Sequence, residues 1–303
     1  MTLDLTVYAI PAFVGLMLAE AAVLARTSRR GYAAPDTAAS LAMGVGNVLI
    51  DLVMKGVHFA LLAAVGRWAW ITIAPSWWSW AVLIVAGDLV YYWFHRVHHE
   101  VRLFWAAHVN HHSSERYNLS TALRQSWTTP FTSLLFWWPL ALVGFSPAMI
   151  LSVIAINTLY QFWIHTELID RIGPLESVLN TASHHRVHHG ANLEYLDRNH
   201  GGMFIIWDKL FGSFEPERAP VRFGLTTNIE SHNPVNIAFH EWTALARDVR
   251  RATTWRERLG YIFGPPGWSP DGSRLTTRQL QARAEGFEGS RVQGFELDSC
   301  LNA

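Results

Sequence analysis

The sequence predicts an all-α integral membrane protein: about four to five transmembrane or re-entrant helices with a histidine-rich cap on the cytoplasmic side. Three observations predict it. Half of the 303 residues are hydrophobic and only 16% are charged, against roughly 25% in an ordinary soluble domain. Several apolar runs approach or exceed the ~20 residues that a helix needs to cross a bilayer. Eleven of the fifteen histidines fall between positions 95 and 189, in groups at or near the edges of those runs. The fifteen tryptophans suit the same class, because an indole has an apolar body and an N–H that stays wet at a membrane boundary.

The elements follow in order. Residues 5–25 read as the first apolar helix, beginning almost at Met1 with no basic leader or clear cleavage site, so no signal peptide is expected. Residues 38–66 form a second run, interrupted by Asp51, Lys55 and His58, and residues 77–94 a third, interrupted by Asp88. Residues 129–145 and 147–168 read as two more, a full hairpin or a shallower re-entrant pair. They are separated at Gly144-Phe-Ser146-Pro147, where Ser146 is placed to cap the fifth helix and Pro147 to open it. Arg26, Arg29 and Arg30 follow the first run, which puts that loop in the cytoplasm. Counting onward, all the histidine groups return to the cytoplasmic face.

Residues 169–225 read as a cap of turns and short helices. Residues 226–275 are mixed, with a basic stretch from Arg247 to Arg258 suited to lipid headgroups or to a solvated face. The remainder, to Ala303, is polar and reads as poorly ordered. The expected organisation is therefore 1–36, an N-terminal transmembrane helix and cytoplasmic loop; 37–225, a catalytic membrane domain; and 226–303, a partly disordered cytoplasmic extension. A formal net charge of zero gives no support to nucleic-acid binding. The single cysteine, Cys300, excludes a disulfide framework, a thiolate-built zinc site and a cysteine-ligated iron–sulfur cluster.

The histidines carry the chemistry. His95 and His99 are four apart, so both can face one metal. His108-x-x-His111-His112 and His185-x-x-His188-His189 repeat one pattern, and His165 stands alone before the second copy. His98 and His184 break the spacing and read as bystanders; His58 reads as a satisfied intramembrane histidine. His200, His232 and His240 have no partner at ligand spacing. Asp88, seven before His95, is expected to orient an imidazole through its second N–H. Arg124 and Gln125 are polar beside an apolar segment, suited to hold a headgroup or brace a ligand. Eight or nine imidazoles exceed what one metal takes, so two are implied. The Glu-x-x-His pattern of ferritin-like di-iron proteins is absent, as is the glutamate of H-E-x-x-H zinc hydrolases. Neutral nitrogen ligation with open positions suits iron that binds O2, though a membrane zinc hydrolase or a metal-storage scaffold stays open.

The set His-x3-His, His-x2-His-His, His-x2-His-His resembles the hallmark of the fatty acid hydroxylase / sterol desaturase superfamily. Within it, the segments 88–100, 105–126, 160–167, 180–190 and 205–212 are most similar to the alkylglycerol monooxygenase branch. Gln161 stands where fatty acid 2-hydroxylases carry a further histidine. The resemblance implies a membrane-bound di-iron monooxygenase with His95, His99, His108, His111, His112, His165, His185, His188 and His189 as iron ligands. It implies O2-dependent oxidation of an ether lipid at the carbon next to oxygen, giving a fatty aldehyde. The electrons would come from tetrahydrobiopterin or another external donor, with Glu100 on the pterin side or supporting an iron ligand from behind. Sterol desaturation, sterol methyl oxidation and fatty-acyl hydroxylation use the same centre and stay open. The expected partners are the lipid substrate, the bilayer and an electron-donor protein.

Overall fold

The computed structural model describes residues 5–27 and 31–291. Among them there is no extended strand, only two isolated bridges, Leu179 to Phe204 and Gly190 to Phe223. Three long helices come first: α1 (Leu5–Thr27), α2 (Ala34–Gly66) and α3 (Trp77–Glu100). Then come α4 (Pro147–Trp163), α5 (Ala182–His188), α6 (Pro234–Arg251), α7 (Trp255–Phe263) and α8 (Thr277–Arg291), with shorter turns between. Arg29, Arg30, Cys300 and the tail from 292 onward lie outside the described residues.

α1 and α2 are long and apolar enough to cross a membrane, and only 11% and 17% of their apolar windows are buried. Their side chains therefore face outward, as Val45, Leu49, Leu52 and Val53 of α2 do. A contiguous apolar surface of this kind is rare in water and ordinary in lipid. α3 continues past its apolar half through the first histidine group before it stops at Glu100. Ser76 caps its start, accepting from the Ser79 amide at 3.2 Å.

The run 129–145 does not make one helix. It breaks into Thr129–Thr132, a 3-10 turn at Ser133–Leu135, and Trp138–Val143. Pro130 and Pro139 explain the breaks: each lacks an N–H and suits only the first turn of a helix. Gly144, at φ 126°, ends the last piece. Ser146 then caps α4, its hydroxyl accepting from the Met149 amide, with Pro147 at the first position.

A buried cluster joins α2, α3, α4 and the 138–143 turn through Leu62, Leu83, Leu140, Phe145, Ile150 and Val153. α3 and α4 approach closely where Gly87 meets Val153. A Cβ at Gly87 would lie 2.6 Å from a Val153 methyl, the small-residue contact that packs helices where no hydrophobic force drives them together.

The buried ionisable groups described on α1 and α2 are engaged, whereas the buried Thr37 hydroxyl has no partner. Glu20 of α1 accepts from the Tyr32 hydroxyl (2.5 Å) and the Leu119 amide (2.8 Å), and from the Thr166 hydroxyl. His58 bonds the Met54 carbonyl and Ser133. Asp36 pairs with Arg124 at 2.9 Å and accepts from Ser114. This pair ties the start of α2 to the segment after the second histidine group. Arg124→Met leaves Asp36 buried without its cation, at a cost on the order of 3–5 kcal/mol. Unfolding in detergent should show that loss, and Arg124→Met combined with Asp36→Asn should recover part of it.

Candidate metal centre

Nine buried imidazoles gather into two groups. His95, His99, His108, His112 and His188 form one; His111, His165, His185 and His189 form the other. Within each group the donor nitrogens all lie within 4.8 Å of one another. The division cuts across the chain. His111 and His112 are adjacent in sequence yet serve different groups, and so do His188 and His189. Successive residues of a helical turn point about 100° apart, whereas residues four apart share a face. Hence 95 and 99, 108 and 112, and 185 and 189 stay together.

Hydrogen bonds set the ring orientations. The Nδ1–H of His95 donates to the His200 carbonyl (2.9 Å), that of His165 to Gln161 (2.7 Å), that of His188 to Arg198 (3.0 Å), and that of His111 to Arg124 (3.3 Å). A neutral imidazole with its proton on Nδ1 presents a bare lone pair at Nε2. His165 and His111 therefore point two lone pairs at each other across 3.3 Å, and His95 points its own at His108 Nε2 across 3.0 Å. Adding a proton to ease this contact is costly here. Burial, with neighbouring imidazoles adding to it, holds His108, His112, His165, His185, His188 and His189 well below the ordinary imidazole value. His111 is pushed down to about 4 by the same loss of water. Moreover, Nε2 of His99, His188 and His189 has no hydrogen-bond partner although fully buried. Neutral, convergent, unsatisfied nitrogens are the donor set that a divalent transition metal requires.

The supporting shell differs from expectation at Asp88. Its carboxylate touches no imidazole. It accepts instead from the Met203 and Phe204 amides (2.7 and 3.0 Å), Trp207 Nε1 (3.0 Å) and Asn157 (2.6 Å). Asp208 grips the same loop from its other side, accepting from the His200 and Gly201 amides and the Ser213 hydroxyl, each at 2.7 Å. Gly202 permits the approach: a Cβ there would meet Asp88 at 2.7 Å and Asn157 at 2.6 Å. Asp88 thus reaches His95 only through backbone: seven residues apart on α3, both face the 200–207 loop, His95 at the His200 carbonyl and Asp88 at the Met203 and Phe204 amides.

Arg124 is buried and engaged by Asp36, Ser40 and Ser113, so it is not free for a headgroup; its carbonyl meets His111. Gln125 caps the Ala122 carbonyl. Glu100, half-buried at the end of α3, pairs with Arg96 at 2.9 Å. His98 is satisfied by the Phe94 carbonyl and Thr132, and His184 belongs to neither group.

Sequence spacing missed two residues. Asp197 brings its carboxylate to 3.5 Å from His99 Nδ1. The His200 ring lies 5.0 Å from that of His99, with one buried nitrogen unpartnered. Asp197 and Asn199 adopt φ of 55° and 57°, left-handed backbone that Asp and Asn tolerate best among side-chain-bearing residues. This double reversal turns the 198 and 200 carbonyls toward the histidines. The Asp-x-Asn-His run at 197–200 was the available signal.

Two outcomes follow. Asp88→Ala should destabilise the fold by about 1–3 kcal/mol for each donor left buried and lower metal content although no candidate ligand is lost; unfolding and metal analysis check both. In the metal-free protein, the rings titrate lower when folded than their ordinary 6.5, His111 near 4. The unfolded chain then binds more protons, so stability is full above about pH 6.5 and falls as pH drops toward 4. A denaturation midpoint that stays flat across that window would contradict it.

Residues 80–213 match the fatty acid hydroxylase family profile. Over 242 residues the chain is 43% identical to the alkylglycerol monooxygenase of Xenopus tropicalis, covering 79% of this chain and 54% of that protein. Over 272 residues it is 42% identical to the human alkylglycerol monooxygenase, covering 88% and 60%. It is 30% identical over 162 residues to an ornithine lipid hydroxylase of Rhizobium tropici, covering 51% and 49%. No solved structure matches. The chain thus spans little more than half the length of the alkylglycerol monooxygenases just described. Through its histidine-bearing region the chain is similar to the fatty acid hydroxylase family, and over most of its length it is similar to alkylglycerol monooxygenases.

Proposed function

We propose that this protein is a membrane-bound di-iron monooxygenase that oxidises an ether lipid at the carbon next to oxygen, yielding a fatty aldehyde. The observation that carries the reading is the pair of buried imidazole groups, in which facing nitrogens have no proton to share. His95, His99, His108, His112 and His188 would hold one iron, and His111, His165, His185 and His189 the other. Bound iron would supply activation of O2 against a C–H bond, chemistry that side chains alone cannot perform.

The chain's own residues do the rest. Backbone carbonyls of Gln161, Arg198, His200 and Arg124 hold the imidazole protons away from the centre. Arg124 and Asp88 act as positioning residues, the first through its carbonyl and the second through residues 200–207. The outward faces of α1 and α2 keep the protein, and with it the substrate's apolar chain, in the bilayer. In this reading the N-terminus is outside and Arg26 marks a cytoplasmic loop, so the histidines lie on the cytoplasmic side. The interrupted helices at 129–143 dip in and return with α4 as a re-entrant pair. Glu100 faces the cytoplasm, where a reduced pterin or a donor protein can approach. Residues 37–225 form the catalytic membrane domain and 226–303 the cytoplasmic extension.

The test is a lipid assay on protein produced with ample iron, in vesicles containing an alkylglycerol, with O2 and reduced pterin. About two irons per chain and an oxygen-dependent fatty aldehyde are expected. His111→Ala and His188→Ala should each lower the metal content and abolish turnover. Full iron and full activity in either variant would remove that residue from the ligand set. A hydroxylated or desaturated lipid in place of the aldehyde would reassign the substrate, and turnover without O2 would overturn the monooxygenase reading.

A further inference from the structure

α7 turns three large apolar side chains outward at every fourth position. Trp255, Leu259 and Phe263 are 75%, 51% and 57% exposed. Residues four apart on a helix share a face, so the three make one stripe. The opposite face is already used: Gly260 lies against the Trp268 ring, and Tyr261 packs edge-on to it at 5.3 Å. The helix is also firmly started. Thr254 accepts from the Glu257 amide, and the Glu257 side chain reaches back to the Thr254 amide.

Charge accompanies the stripe. Residues 247–258 contain Arg247, Arg250, Arg251, Arg256 and Arg258 against two acids, Asp248 and Glu257. Both acids are committed, Asp248 to Arg102 and Arg274 and Glu257 to the cap. Among the described residues no ion pair engages the five arginines. On the helix surface Arg256 and Arg258 border the stripe on its two sides, and the Arg258 guanidinium lies 5.0 Å over the Trp255 ring.

Position completes the case. The Arg102 amide, just past the end of α3, donates to the Gly264 carbonyl at 2.9 Å. α6 meanwhile packs Ile237 and Ala238 on Ala39 and Met43, near the start of α2. Glu241 and Asp248 of the same α6 pair with Arg102 at 2.7 Å each, so α6 joins the start of α2 to the end of α3 and α7 is held where the apolar helices emerge. We propose that α7 is an in-plane membrane helix. Its stripe sits at the acyl-chain boundary of the bilayer that α1 and α2 cross, and its arginines bind anionic lipid phosphates. An apolar face bordered by arginine, with tryptophan at the boundary, is the composition such helices use.

The proposal rests on the reading that α2 spans the bilayer, so the experiment measures both. In a Cys300→Ser background, nitroxide labels are attached to Leu259→Cys, Phe263→Cys, Leu52→Cys on α2 and Thr253→Cys beside the stripe. The full chain is placed in vesicles of phosphatidylcholine with or without phosphatidylglycerol, and collision with O2 is compared with collision with a water-soluble nickel chelate. The O2-to-nickel ratio at 259 and 263 should be several-fold above that at 253 and approach that at 52. It should rise further with phosphatidylglycerol, and that rise should vanish in Arg250→Gln/Arg251→Gln/Arg256→Gln. Labels at 259 and 263 as wet as at 253, with 52 in lipid, would overturn the proposal and leave the spanning helix intact. A wet label at 52 would overturn both. Labels at 259 and 263 shielded from both reagents would assign the stripe to a second copy of the chain instead.

Discussion

The centre depends on imidazoles that stay neutral and are turned by their own protons. In a dry interior, charging a ring costs more than any nearby group returns. Each ring can therefore keep one proton, and the position of that proton decides where the lone pair points. Backbone carbonyls at Gln161, Arg198, His200 and Arg124 take the Nδ1 protons and leave Nε2 to the interior. A carbonyl is a good choice for this task. It accepts without titrating, and its position is set by the fold rather than by a rotamer.

Those carbonyls must themselves be held, and two buried carboxylates do part of it. Asp88 and Asp208 close on residues 200–204 from opposite sides, each with several N–H or O–H donors. For Asp208, outside the apolar helices, burial raises the carboxyl to about 6 while the donated hydrogen bonds oppose the rise. A buried carboxylate with three or four donors is a rigid staple. The sharp reversal at Asp197 and Asn199 is affordable because this staple holds the loop on its far side.

The same accounting governs the apolar helices. Glu20, Asp36, Asn47 and His58 sit on α1 and α2, and each finds a partner on the protein side. The outward faces are mostly Val, Leu, Ile and Phe, and the half-exposed Asp51 and Lys55 pair with each other at 3.9 Å. A polar group in hydrocarbon is tolerated only when it is satisfied internally. The two faces of α2 therefore answer to two different solvents.

Local spacing made much of this legible. The helical class, the three long apolar runs and the cap at Ser146 follow from composition, period and capping chemistry, all short-range properties. So does the choice of eight imidazoles, since His-x3-His and His-x2-His-His are one-turn patterns; His165 stands alone and is named only by the family resemblance. The prolines at 130 and 139 already carried the information that 129–145 could not be one helix; apolar content alone hid it. Which ring joins which group was not legible. His188 lies with His95 and His99 while its neighbour His189 lies with His111 and His165, a matter of which helix face meets which. Nor were the partners of Asp88, the role of the Arg124 carbonyl, or the arrival of Asp197 and His200. Each depends on contacts between residues distant in the chain, several more than a hundred positions apart. Spacing along a chain reports what one turn of helix can bring together, and only packing decides what the rest of the molecule brings to meet it.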